Sequence, residues 1–147
     1  MRWVMAKWIR RRGNKSMSFL NYCRQPLCIA FSVFFGFIVW IIYEADRGAD
    51  NIFMSVADSI PYGDKLGHVW LYGVLALLLN LLLNRRVVLL KSMRFQLGSV
   101  LVFGFAAAEE LSQGFFATRS LDGWDLLADL LGVCIAAFLV STKRGGH

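Results

Sequence analysis

The sequence predicts an all-α integral membrane protein, a bundle of four transmembrane helices with both termini on the cytoplasmic side. Three observations predict it. The 147 residues are 57% hydrophobic, above the 45–50% or so usual for a soluble domain, and the excess lies in blocks. The basic residues fall almost entirely on alternate connections between those blocks. The acidic residues gather at the opposite ends.

The first block, Leu27–Tyr43, carries no charge and follows a basic segment, 1–26. Arg10, Arg11 and Arg12 ahead of an apolar run suggest a signal peptide. The exit Tyr43-Glu44-Ala45-Asp46 offers no small-x-small cleavage site, so an uncleaved anchor is expected. The second block runs from Leu66 to Leu83, interrupted by His68 and Asn80. The third is purely apolar only from Leu97 to Ala108, which reaches about 18 Å of a hydrocarbon core about 30 Å thick. To span, its helix must continue through Glu109, Glu110 and Gln113 to about Phe116. The fourth runs from Trp124 to Val140, with Asp125 and Asp129 in its first turns. The predicted spans are thus 27–43, 66–83, 97–116 and 124–140, followed by a cytoplasmic tail, 141–147. What lies between them is too short for a second, soluble domain.

Of the 16 basic residues, all but Arg47, Lys65 and Arg119 lie before the first span, between the second and third, or in the tail. By the positive-inside rule those segments are cytoplasmic. The ten acidic residues all fall on the other side. The net charge of +6 therefore reads as topology signals beside anionic lipid, and nucleic acid is not an expected partner. Cys23, Cys28 and Cys134 have neither zinc-site spacing nor the density of a disulfide framework, and are expected to be small buried apolar residues.

Three polar clusters are expected to meet at the outer end of the bundle. The first is Asp64-Lys65-x-x-His68, with Asp64 and His68 on one helix face and Tyr72 a turn deeper. One reading makes it a helix start, with Asp64 capping, Lys65 snorkelling and His68 among headgroups; the other makes it part of a site. The second is Glu109-Glu110-x-x-Gln113. Glu110 and Gln113 share a face, Glu109 points about 100° away, and one carboxylate is expected to face the bundle. The alternative is that the span ends at Ala108 and both acids are interfacial. The third is Arg119-x-x-Asp122-x-x-Asp125, followed by Asp129 and Gly132. Asp122 can cap the last span and Asp125 suits the positive end of its dipole. Asp129 sits too deep to be a cap, and Gly132 allows close helix approach. Arg119 can pair with a carboxylate or grip a phosphate or carboxylate bidentately.

Together these clusters resemble the VanZ-like family of small bacterial membrane proteins. The resemblance rests on Asp64-Lys65-x-x-His68, Glu110-x-x-Gln113 and Arg119-x-x-Asp122-x-x-Asp125-Leu126-Leu127-Ala128 with Gly132 behind, in that order, over residues 64–132. Many members have asparagine at the position of Asp129 and proline-glycine at Ala117-Thr118. The resemblance implies a multi-pass protein of the bacterial cytoplasmic membrane, in a family named for a contribution to teicoplanin resistance. It implies no particular reaction.

The leading expectation is an outward-facing polar pocket built from Asp64, Lys65, His68, Glu110, Gln113, Arg119, Asp122, Asp125 and Asp129. Its ligand would be an envelope component, a lipid-linked phosphate or a peptidoglycan-precursor group. Lys65 and Arg119 would meet anionic oxygens, and the acids would orient amines or hydroxyls. One rival is a membrane enzyme with His68 as base and Asp64 as its orienter. Others are ion-coupled transport by the buried acids and a structural subunit. No cofactor is predicted. The carboxylates are compatible with a divalent cation, and a carrier of this size would have to be an oligomer.

Overall fold

The computed structural model describes residues 2–49, 51–117 and 119–142, with side chains from residue 24 onward except those of Asp58, Leu90 and Thr142. The cationic side chains of segment 1–23 and tail residues 143–147 lie outside the described residues. The chain forms helix α1 (Arg2–Asp46), helix α2 (Ile52–Asp58), helix α3 (Gly63–Leu82), strands β1 (Val87–Leu90) and β2 (Met93–Gln96), helix α4 (Leu97–Gln113) and helix α5 (Gly123–Thr142).

Three helical stretches are long and apolar enough to cross a membrane: Arg24–Asp46, Gly63–Leu82 and Gly123–Ser141. The 17 residues of α4 rise about 26 Å. This helix stops at Gln113, short of the expected residue 116, because the backbone turns: the N–H groups of Phe115 and Phe116 donate to the carbonyls of Ser112 and Gln113. At its other end α1 does not start after Pro26 but runs through it.

Two connections depart from the expected all-α arrangement of spans and plain loops. Between the first two spans lies α2, whose N-cap Asn51 accepts from the N–H groups of Phe53 and Met54, both at 3.0 Å. Between α3 and α4 the chain forms an antiparallel hairpin pairing Val87 with Gln96 and Leu90 with Met93. The run Val87-Val88-Leu89-Leu90 is β-branched or apolar and only four residues long, enough for a strand and too short for a helix.

The core draws on all four long helices: Ile38 from α1, Tyr72, Leu75 and Ala76 from α3, Val102 and Ala106 from α4, and Val133 and Ala136 from α5. The packing is tightest between α3 and α5, where Gly73 and Gly132 lie back to back. A Cβ at Gly132 would collide with the Val69 carbonyl oxygen, so the backbones approach as small residues permit in membranes. Toward the other end of α3, the Asn80 amide donates to Ser99 Oγ at 2.8 Å and accepts from Ser99 N–H at 3.1 Å. That satisfied pair locks α3 to α4 where an unpaired polar group would be costly.

Large apolar residues cover the outward faces, among them Val33 at 69% and Phe138 at 67% exposure, as expected of surfaces facing lipid rather than water. Cys28 and Cys134 lie on those faces as free thiols. The expectation that they would be buried is corrected: in lipid an apolar side chain need not be covered by protein.

Candidate functional site

With α4 running opposite to α3 and α5, the starts of α3 and α5 and the end of α4 come to the same level, and the three polar clusters converge there. Lys65, on the first turn of α3, reaches across to α5. Its ammonium donates to Asp64 at 2.8 Å, Asp122 at 3.1 Å and Asp125 at 2.9 Å. The cation thus occupies the point between three carboxylates where a metal ion would be sought. Asp122 immediately precedes α5 and accepts from Trp124 N–H at 2.9 Å, capping that helix. That hydrogen bond, and then Lys65, hold its carboxyl below the usual carboxylate range.

A turn deeper, His68 turns to α5. Its Nδ1 lies 2.9 Å from Asp129 Oδ1, while Nε2 stands 3.9 Å from Asp125 Oδ2. Which of Nδ1 and Oδ1 donates depends on where the shared proton sits; an ionised Asp129 requires Nδ1 to carry it. Asp129 is fully buried, and its Oδ2 has no hydrogen-bond partner among the described residues. Below His68, stacked on its ring, Tyr72 directs its hydroxyl toward Glu109 Oε2 at 3.4 Å.

The end of α4 completes the site. Glu109 and Glu110 are 7% and 3% exposed and Gln113 is 2% exposed, so both acids are covered by protein. The Gln113 amide donates to Glu109 at 3.1 Å and to Glu110 at 3.0 Å. Arg119, from the connection to α5, donates to Glu109 Oε1 at 3.2 Å. Glu110 accepts from the backbone N–H of Asp122 at 2.6 Å, so it fixes the entry into α5 rather than facing a ligand.

Beside this network lies a cavity of about 400 Å³ between α1, α2 and α3. Its apolar walls include Phe37, Ile41, Phe53, Met54 and Trp70, and its polar lining is Asp64, His68 and Arg119. No family model, curated protein or solved structure matches the chain. The cavity lining combines a carboxylate, an imidazole and a guanidinium, complementary to a headgroup carrying both an anionic oxygen and a hydrogen-bond donor. The long apolar flank suits a hydrocarbon chain.

All nine residues singled out in the sequence reach this end of the bundle, with different roles. The pairing of His68 with Asp64 that the rival enzyme reading invoked is not formed. Asp64 has a side chain 53% exposed and held by Lys65, while the histidine takes its partner from a neighbouring helix. The alternative that α4 ends at Ala108 is also removed, since the helix continues through both glutamates. Glu109 and Tyr72 were missing from the expected site. The 100° separation of Glu109 from Glu110 suggested only one could face inward, but α3, α5 and Arg119 cover both sides of α4's last turn. Among the described residues no group of three His, Cys, Asp or Glu is arranged to hold a metal ion.

Proposed function

We propose that this is a four-span, VanZ-like protein of the bacterial cytoplasmic membrane whose outward pocket engages an amphiphilic component of the cell envelope. In this reading both termini are cytoplasmic and α4 is the third of four spans. The separation of charge supports that orientation: all acidic positions lie on one side, and the hairpin cations lie on the other. The single observation that carries the functional reading is the cavity lined by α1, α2 and α3, apolar along its length and polar only at Asp64, His68 and Arg119. An isoprenoid or acyl chain would lie against Phe37, Ile41 and Trp70. A phosphate would meet Arg119, which lines the cavity and donates one N–H to Glu109. An amine or hydroxyl of the same headgroup would donate to Asp64.

The test uses the purified full-length protein in detergent, titrated with a polyprenyl phosphate, the corresponding polyprenol and a peptidoglycan stem peptide, with bound species read by native mass spectrometry. Saturable phosphate binding at least tenfold tighter than that of the alcohol is expected. Arg119→Lys, which loses the planar fork, should reduce that preference. Absence of saturable binding to both the phosphate and the peptide removes this reading.

A second reading, a membrane enzyme, is favoured by one observation. His68 is oriented through Nδ1 by buried Asp129 and lines the cavity, while its Nε2 makes no hydrogen bond among the described residues. That is the arrangement of a general base with its orienting carboxylate. Turnover of a bound envelope phosphoester, abolished by His68→Gln with binding retained, would decide for it.

A further inference from the structure

At the end of the bundle opposite the acidic cluster, the α3–α4 hairpin carries Arg85, Arg86, Lys91 and Arg94. Among the described residues none of them forms an ion pair with a carboxylate. Arg85 and Arg94 line a cavity of about 240 Å³ with Val87, Gln96, Val140 and Ser141. Its floor is fixed: the Gln96 amide donates to Ala137 O at 2.9 Å and to Ser141 Oγ at 3.0 Å, pinning β2 to the end of α5.

The hairpin register sorts the ribbon into two faces. Val87, Leu89, Arg94 and Gln96 share one, and Val88, Met93 and Phe95 share the other. On the second, Met93 is 63% and Phe95 39% exposed, and on the first Leu89, beside Arg94, is 72% exposed. Backbone conformation adds a separate observation. Asn84, Arg85 and Lys91 have φ of 53°, 55° and 55°, a left-handed region that favours glycine and disfavours other residues. Two of these positions, Arg85 and Lys91, carry cations at a cost in backbone strain.

We propose that this hairpin is a binding site for an anionic phospholipid, with the phosphate held between Arg85 and Arg94, an acyl chain against exposed Leu89 on the face that Arg94 shares, and the opposite Val88–Met93–Phe95 face lying among neighbouring lipids. Unpaired guanidiniums supply the charge complementarity, and exposed Leu89, on the same ribbon face as Arg94, restricts the occupant to a lipid rather than a free phosphate. The site is independent of the pocket at the other end of the bundle.

The full-length protein in a zwitterionic detergent is titrated with dioleoyl-phosphatidylglycerol, with dioleoyl-phosphatidylcholine and with glycerol 3-phosphate, and occupancy is read by native mass spectrometry. Phosphatidylglycerol should bind at least tenfold tighter than phosphatidylcholine, and glycerol 3-phosphate should not displace it at equal concentration. Arg85→Gln and Arg94→Gln should each weaken binding about fivefold, the effect of one basic residue at a membrane surface. Arg86→Gln, with the same change in net charge, should have less than a twofold effect. Arg85→Gly separates binding from folding: glycine relieves the left-handed backbone, so thermal stability should hold or rise while lipid affinity falls about fivefold. Equal losses for Arg86→Gln and Arg85→Gln, undiminished lipid binding by Arg85→Gly, or displacement by glycerol 3-phosphate would overturn the proposal.

Discussion

Arg119→Ala removes the guanidinium from Glu109, a carboxylate with only 5% of its side chain exposed. At the observed 3.2 Å separation and an effective dielectric near 20, the gross attraction is about 5 kcal/mol. Most of that is offset by desolvation, and Arg119 itself retains 21% exposure, which admits solvent screening. After the substitution Glu109 still has Gln113 and Tyr72 as donors. The loss is therefore set at about 2–3 kcal/mol, below the 3–5 kcal/mol or so typical of breaking a wholly buried pair. Glu109→Gln keeps the shape and removes the charge, at a cost of about 1–2 kcal/mol. Because Arg119→Ala does its damage by stranding that charge, the double variant should be less destabilised than the two costs summed, by about 1–2 kcal/mol. Thermal unfolding in detergent, followed by tryptophan fluorescence, reads this directly. A chain of this size shifts by about 2–4 °C per kcal/mol, so Arg119→Ala should melt about 4–12 °C lower. Additive single effects, with coupling under about 0.5 kcal/mol, would refute the pairing of these two residues.

Three further outcomes are expected. Gly132→Ala should destabilise the protein by about 1–3 kcal/mol, the usual range for overpacking, since the new methyl meets the Val69 carbonyl; unchanged melting would mean that α3 and α5 are not in backbone contact. Folding lowers the Asp122 carboxyl, so its contribution is present above the unfolded carboxylate pKa near 4 and lost as pH falls through the lower folded value. Wild-type protein should accordingly lose stability relative to Asp122→Asn between roughly pH 5 and pH 2, and parallel pH–stability curves would contradict this. Reporter fusions after His147 and after Asn51 should show opposite sidedness, and equal sidedness would overturn the four-span orientation.

The polar end of the bundle was legible from residue type and depth. Asp129 stood a turn too deep for a cap, and the apolar run before Glu109 was too short to span. Both facts require carboxylates inside protein, because lipid cannot solvate them. Partner choice was not legible. The spacing of Asp64 and His68 put them on one helix face, but helical periodicity carries no information about the neighbouring helix. Lys65, one residue on, is long enough to collect Asp64, Asp122 and Asp125 together, and this leaves the imidazole to Asp129. Glu109 was missed for the same reason: the angle between adjacent residues says which way each points, not how much of the helix is wrapped.

Composition and charge order by themselves pointed to helices able to cross a membrane with the acidic residues at one end of them, because the bilayer allows few backbone arrangements and makes charge placement costly. The helical stretches 24–46, 63–82 and 123–141 follow from apolar length alone. The tertiary structure decided the rest. It placed α2 beside the cavity, folded the basic connection into a hairpin, set Gly73 against Gly132, and assigned each buried carboxylate its donor. These depend on which helices pack together and how closely, and such long-range choices are made by the sum of many weak contacts rather than by any local run of residues.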